Sequence, residues 1–225
     1  MFRRLAAEFI GTTALLAIIV GSGIMAERLA GGNVAIALLA HTLSISAGLF
    51  VLILVFADVS GAQFKPAVTM TAIESRNIRP SEGSAYVVTQ FVAAATGTAL
   101  ANVMFGLPVI VASQKLRTGP ALWLSESVAT FGLILVIAGA ARLTSRFAVP
   151  AAVAAYIFAG CWFTSSFSFA NPAVTLARSL SDTFAGIRPA DVPAFIAAQL
   201  IGALAATVVA KWLFADRPDD AEDRV

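Results

Sequence analysis

The chain has 225 residues, of which 59% are hydrophobic and only 12% charged, with a formal net charge of +2 and a mean hydropathy of +0.86. Soluble domains carry about a quarter charged residues, so this composition excludes a soluble enzyme or binding module and points to a chain that lives in a bilayer. The basic residues are scattered through loops and form no stripe, which argues against a nucleic-acid partner, and the lone cysteine, Cys161, cannot close an intrachain disulfide.

Crossing ~30 Å of hydrocarbon as a helix takes ~20 apolar residues. Six such stretches are legible, at about 5–26, 33–57, 84–106, 121–141, 148–167 and 191–214. The first follows Arg3 and Arg4 and ends in small residues near Gly21 and Gly23, the outline of a signal peptide. Glu8 inside the run, and a matching segment later in the chain, favour a membrane span instead. The second span carries His41, the single histidine, read as a hydrogen-bonded polar residue rather than a gate. Lys65-Pro66-Ala67-Val68-Thr69 then opens a short apolar segment, about 66–75. The third span contains Gln90, Ala93, Ala94 and Gly97, and the fourth begins with Ser125-Glu126. Cys161 falls inside the fifth span, where it reads as a small apolar filler. Asn171-Pro172-Ala173-Val174-Thr175 opens a second short segment, about 172–181, and the sixth span contains Gln199, Gly202 and Ala203. The acidic end, Asp219 to Asp223, reads as solvated.

The order repeats. Glu8 pairs with Glu126, the first Pro-Ala-Val-Thr with the second, and Gln90 with Gln199. A single domain is therefore expected over 1–225, with repeat one at about 1–107, repeat two at about 121–215 and a tail at 216–225. Three spans per repeat is an odd number, so the halves are inverted across the membrane. Each Pro-Ala-Val-Thr segment starts as helices prefer, with proline at the first position and, in the second copy, asparagine as N-cap. Some ten residues of helix cover ~15 Å, half the hydrocarbon core. Both segments thus read as half-helices meeting head to head at the midplane. The irregular backbone before them, Val59–Phe64 and Ser165–Ala170, survives at that depth only where protein buries it or a polar path satisfies it. Two positive helix ends facing that path repel cations and tolerate neutral solutes. Eight loop Lys and Arg residues on the N-terminal side, Arg217 among them, against five on the other place both termini in the cytoplasm, with the chain in the inner (plasma) membrane.

The two short segments, with Glu8 and Glu126 in their context, resemble the paired Asn-Pro-Ala signatures of the aquaporin (major intrinsic protein) family. The resemblance spans nearly the whole chain. It implies an all-α membrane fold, aquaporin-like, with six transmembrane helices plus two re-entrant half-helices in an inverted 3+3 repeat. It also implies a homotetramer in the lipid bilayer in which each protomer carries a passive pore for small neutral solutes. Lys65, Pro66 and Ala67 would form one tip of that pore and Asn171, Pro172 and Ala173 the other. Counting from the motifs as the family does puts the selectivity filter at Ile45, Ala159, Ser168 and Val174. Valine stands where most relatives have arginine, so a wider, less polar opening of the aquaglyceroporin type is expected, admitting water, glycerol and undissociated metalloid acids such as arsenite. Arg178, one turn beyond Val174, either restores a positive rim or packs between helices.

Glu8 and Glu126 are read as braces for the re-entrant loops, since a carboxylate within a span needs a partner. Lys65 departs from the motif. It cannot cap with an oxygen, and its amine folds away from the pore, sits neutral in it, or stays charged and favours an anion. An ion-coupled transporter is the competing class, with Glu8 and Glu126 as its symmetric ionisable candidates. No nucleophile with a base, metal-ligand cluster or cofactor motif is present, so no enzyme is expected.

Overall fold

The structure, a computed structural model, describes residues 1–215. The acidic tail and Arg217 of the charge count lie outside the described residues. Eight α-helices and one 3-10 turn follow in order: α1 Phe2–Leu29, α2 Val34–Ser60, α3 Pro66–Glu74, α4 Pro80–Met104, α5 Pro120–Ala140, α6 Ala148–Phe163, α7 Pro172–Arg178, the turn Pro189–Asp191, and α8 Val192–Leu213. Proline begins α3, α4, α5 and α7, using the position where its missing N–H costs nothing. Asn33 caps α2 by accepting from the N–H groups of Ala35 and Ile36 at 3.1 and 3.2 Å. Gly61 ends it in the left-handed region at φ 83, where glycine carries no Cβ penalty.

Among the described residues, five helices are long and apolar enough to cross a bilayer. The expected fifth span, 148–167, is helical for only 16 residues, ~24 Å of rise. Beyond Phe163 the chain goes extended at Thr164 (φ −107, ψ 142), because it is already turning into the second re-entrant segment. The half-helices are also shorter than their sequence runs: α3 has 9 residues and α7 has 7.

Elements α1–α4 and α5–α8 pack alike. α1 lies against α2 and α4, α5 lies against α6 and α8, and α2 meets α6 across the centre. Both half-helices touch both α4 and α8, so each tip is gripped by one helix from either half. Glycines set how close the long helices come. A Cβ on Gly97 would sit 2.3 Å from the Thr13 carbonyl oxygen, and one on Gly202 would sit 2.2 Å from that of Ser127. These are the same approach in the two halves, α4 on α1 and α8 on α5, and small residues are what permit it between membrane helices. Outward-facing Leu39, Leu43 and Val51 of α2 and Ile201, Leu204 and Val208 of α8 leave the molecule apolar on its flanks.

On the face opposite the N-terminus, residues 107–119 run as a strap over the chain that follows α7. Val111 and Ser113 donate backbone N–H bonds to Leu180 and Ser179, and Arg188 donates one to Lys115. Asn102 on α4 donates to Val109 and Leu180 and accepts from Ser181, tying the strap to the bundle.

Gly202→Ala and Gly97→Ala each force a methyl onto a backbone oxygen. Each is expected to lower stability by about 1–3 kcal/mol, read as a drop in the thermal unfolding midpoint of the detergent-purified protein. The two losses should be similar in size.

Candidate functional site

Both re-entrant segments are built by one device. The Glu8 carboxylate accepts from the backbone N–H groups of Gln63 at 3.0 Å and Phe64 at 2.8 Å, from Ser60 Oγ at 2.7 Å and from Gln90 Nε2 at 2.8 Å. The Glu126 carboxylate accepts from Phe169 at 2.9 Å, Ala170 at 3.0 Å and Gln199 Nε2 at 2.6 Å. Both carboxylates are fully buried. Each glutamine also donates to the threonine of Pro-Ala-Val-Thr, Gln90 to Thr69 at 3.0 Å and Gln199 to Thr175 at 2.7 Å. A carboxylate, two loop amides, a glutamine and the half-helix threonine thus form one network, present twice.

The backbone these networks hold is strained in matched places. Ala62 and Phe64 adopt φ 47 and 52, and Ser168 and Ala170 adopt φ 46 and 45. Left-handed non-glycine residues cost on the order of 1–3 kcal/mol each and persist only where the surroundings over-determine them. Here the buried carboxylates supply that determination.

At the tips the halves part company. Asn171 caps α7, accepting from Ala173 at 3.0 Å and Val174 at 3.3 Å, and its amide donates across to the Phe64 carbonyl at 3.0 Å. Lys65 has the extended backbone of an N-cap (φ −141, ψ 121) but makes no side-chain cap bond to α3. Pro66, Ala67, Pro172 and Ala173 are buried behind these two residues.

A narrow cavity of ≈ 30 Å³ runs from this junction toward the strap. That is room for one or two water molecules. Ile45, Ser168 and Val174 line it, as do Lys65 and Asn171. Lys65, only 4% exposed, is enclosed by the protein and is one of the residues lining this cavity. Ala159 does not reach the cavity. It is exposed on the outer side of α6, and Ile157 and Cys161 occupy the lining instead. The count from Asn171 crosses eight residues of non-helical chain, and each residue of slip turns an α-helical side chain by ~100°. Cys161 thus lines the cavity as well as packing in the core.

Arg178 lines the cavity as well and is 3% exposed. Its Nε donates to the Ala185 carbonyl, and its guanidinium lies 3.5 Å from the centroid of the Phe169 ring. Arg117, from the strap, approaches the same ring at 5.2 Å and donates to the Gly186 and Phe184 carbonyls. Nothing in the sequence around Arg117 signals this burial, because the contacts come from residues 67–69 positions away. Thr69, Thr175 and Ser60 could have been found: the threonines are part of the repeated motif itself.

The sequence pattern that defines the major intrinsic protein family matches residues 1–168. The chain is 49% identical over 211 residues to the aquaglyceroporin AqpS of Rhizobium meliloti (strain 1021), covering 94% of this chain and 90% of that one. It is 31% identical over 181 residues to a probable aquaporin TIP-type of Medicago truncatula, covering 75% and 71%. Among solved structures, the aquaglyceroporin of Plasmodium falciparum superposes with a TM-score of 0.72 at 18% identity, over 92% of this chain and 94% of that one, a likeness of fold.

Glu126→Ala strips the acceptor from three buried donors at about 1–3 kcal/mol each, and Glu8→Ala does so for four. Both variants should fail to yield a monodisperse protein on size-exclusion chromatography. Glu126→Gln, which keeps one acceptor oxygen, should fold with a lowered unfolding midpoint. A Glu126→Ala protein as stable as the parent would show that the network does not hold the loop.

Proposed function

The chain belongs to the major intrinsic protein family, and from that premise we propose that its pore runs between the tips at Lys65 and Asn171 and carries water and glycerol. The protein is a membrane channel, not an enzyme. The observation that carries the reading is the pair of braced half-helix tips opening on one narrow cavity. Two positive helix ends and the buried Arg178 disfavour cations there, while loop carbonyls and Ser168 suit uncharged hydroxyl-bearing solutes. Undissociated metalloid acids belong to the same chemical class and are a further cargo.

The chain is expected to work as a homotetramer, as its resemblance to the family implies, with the apolar flanks of α2 and α8 available to neighbours and lipid. The loop charges support an inner-membrane protein with both termini in the cytoplasm.

The ion-coupled alternative needs an ionisable group free to load and unload. Glu8 and Glu126 are committed to four and three hydrogen bonds inside the loops, which leaves neither available. A second reading, a conduction-poor or anion-permeable pore, is favoured by one observation: Lys65 and Arg178 line the same cavity.

Stopped-flow shrinkage and swelling of proteoliposomes decides among these. Water and glycerol should cross faster than in empty vesicles, without dependence on a proton or sodium gradient. If neither crosses faster, the neutral-solute channel is refuted. Lys65→Asn should raise both fluxes several-fold by clearing the path, and it should add about 1 kcal/mol of stability through the restored cap. A fall in chloride or oxyanion flux in the same variant, with neutral flux unchanged, would favour the anion reading.

A further inference from the structure

Three of the residues lining the cavity each have a buried polar atom with no hydrogen-bond partner among the described residues: Arg178 Nη2, His41 Nε2 and Ser168 Oγ. Their residues are 3%, 0% and 4% exposed. Buried polar groups are nearly always satisfied, so three orphans converging on one cavity mark the place where a ligand supplies the missing bonds.

The positions of Arg178 and His41 are related. α7 runs from the midplane outward, and Arg178 lies 178 − 174 = 4 residues beyond Val174. α2 runs inward from the strap face, and His41 lies 45 − 41 = 4 residues before Ile45. Four residues are about one helical turn, ~6 Å. Both polar side chains are therefore displaced one turn in the same direction, toward the strap, from the aliphatic Ile45 and Val174.

Both are also held in place. Arg178 is fixed by its Nε bond to Ala185 and by stacking on Phe169, and its buried Nη2 has no partner in the protein. His41 Nδ1 is bonded to Ser22 Oγ at 2.8 Å, and its ring packs against Phe167 and Phe184 with centroids 6.1 and 5.7 Å away. Either tautomer serves, because Nε2–H donates to a solute oxygen and bare Nε2 accepts from a solute hydroxyl.

We propose that Arg178 and His41, one helical turn outside the ring of Ile45 and Val174, form together with Ser168 the solute-recognition filter of this channel, and that it selects small neutral solutes bearing several hydroxyl groups. The proposal rests on the channel reading above. In a cavity this narrow a solute sheds its water, and each hydroxyl costs a barrier unless the wall replaces the lost hydrogen bond. Arg178 donates to one hydroxyl oxygen, while Ser168 and His41 exchange bonds with the next. The aliphatic wall of Leu15, Ile19, Ile45 and Val174 faces the carbon side of the solute.

The test is the ratio of glycerol to propanediol permeability in proteoliposomes, corrected for empty vesicles. Propanediol is glycerol less one hydroxyl. His41→Phe keeps the ring packing and removes Nε2, together with the Nδ1 bond to Ser22, whose hydroxyl keeps the Ile19 carbonyl as a partner. Arg178→Lys keeps the charge and removes the guanidinium fork with its unpartnered Nη2. Ser168→Ala removes a hydroxyl that bonds nothing in the protein, so it leaves the fold intact even where Arg178→Lys does not. His41→Phe and Ser168→Ala should each lower the ratio roughly threefold to tenfold, the worth of one hydrogen bond, and a folded Arg178→Lys should do the same, with water permeability held or raised. An unchanged ratio in His41→Phe overturns the displaced filter, even if Ser168→Ala lowers it, while the channel reading stands. A parent protein that passes neither solute nor water overturns the channel reading itself.

Discussion

Backbone amides at the centre of a bilayer have no water to fall back on, and every other feature of this structure depends on how that is solved. The chain must leave helix at Gly61 and again at Thr164 to make a pore, and it then owes partners to the loop N–H groups. Two fully buried carboxylates meet that debt, Glu8 for Gln63 and Phe64 and Glu126 for Phe169 and Ala170. A carboxylate is suited to the task because two oxygens with several lone pairs accept from adjacent amides and a side chain at once. The left-handed residues Ala62, Phe64, Ser168 and Ala170 are the backbone turns that these bonds hold in place. Gln90 and Gln199 then link each brace to the threonine of its half-helix, so loop and half-helix are positioned together. The close approach at Gly97 and Gly202 brings α1 to α4 and α5 to α8, which is what puts those glutamines within reach of the carboxylates.

Against this symmetry the two tips differ by one side chain, with unequal consequences for stability and for the path. Asn171 bonds its own half-helix and the opposite loop, so it joins the halves at the midplane. Lys65 does neither in the first half, yet its backbone keeps the N-cap conformation and α3 keeps its place. The brace at Glu8 and the packing of α3 on α4 and α8 therefore hold that tip without a cap. What changes is the cavity wall, where a long basic side chain stands at the position that asparagine holds in the second half.

The strap face adds a layer the repeat does not have in duplicate. Arg117 and Arg178 share the Phe169 ring, and the strap's bonds to residues 179–182 and 191 fix the loop from which Arg178 is braced. The guanidinium that lines the cavity is thereby held by a loop-built scaffold, while Ile45 and Val174 give the same cavity an aliphatic stretch. A chain with valine at position 174 thus still has an arginine, Arg178, on its cavity wall.

Much of this was legible in the chain alone. Hydropathy over ~20-residue windows reports membrane spans because the hydrocarbon thickness sets the length. The paired Glu, Pro-Ala-Val-Thr and Gln positions report an inverted duplication because an odd number of spans permits nothing else. Local chemistry also reports the missing cap at Lys65 and the cap at Asn171. Where a side chain points after an irregular segment is a different kind of question. Ala159 was reached by counting back through non-helical chain from Asn171, and it lies on the outside of α6, while Cys161, two residues on and about 200° around the helix, lies in the cavity. Arg117 is buried by partners far away in sequence, and Arg178 and His41 converge only because α7 and α2 run in opposite directions past one cavity. The sequence by itself therefore determined the environment, the duplication and the chemistry of each half-helix tip, all governed by local composition and fixed spacing. Only the tertiary structure decided which side chains share the path, because that depends on helix azimuth and on loops whose backbone does not follow a period.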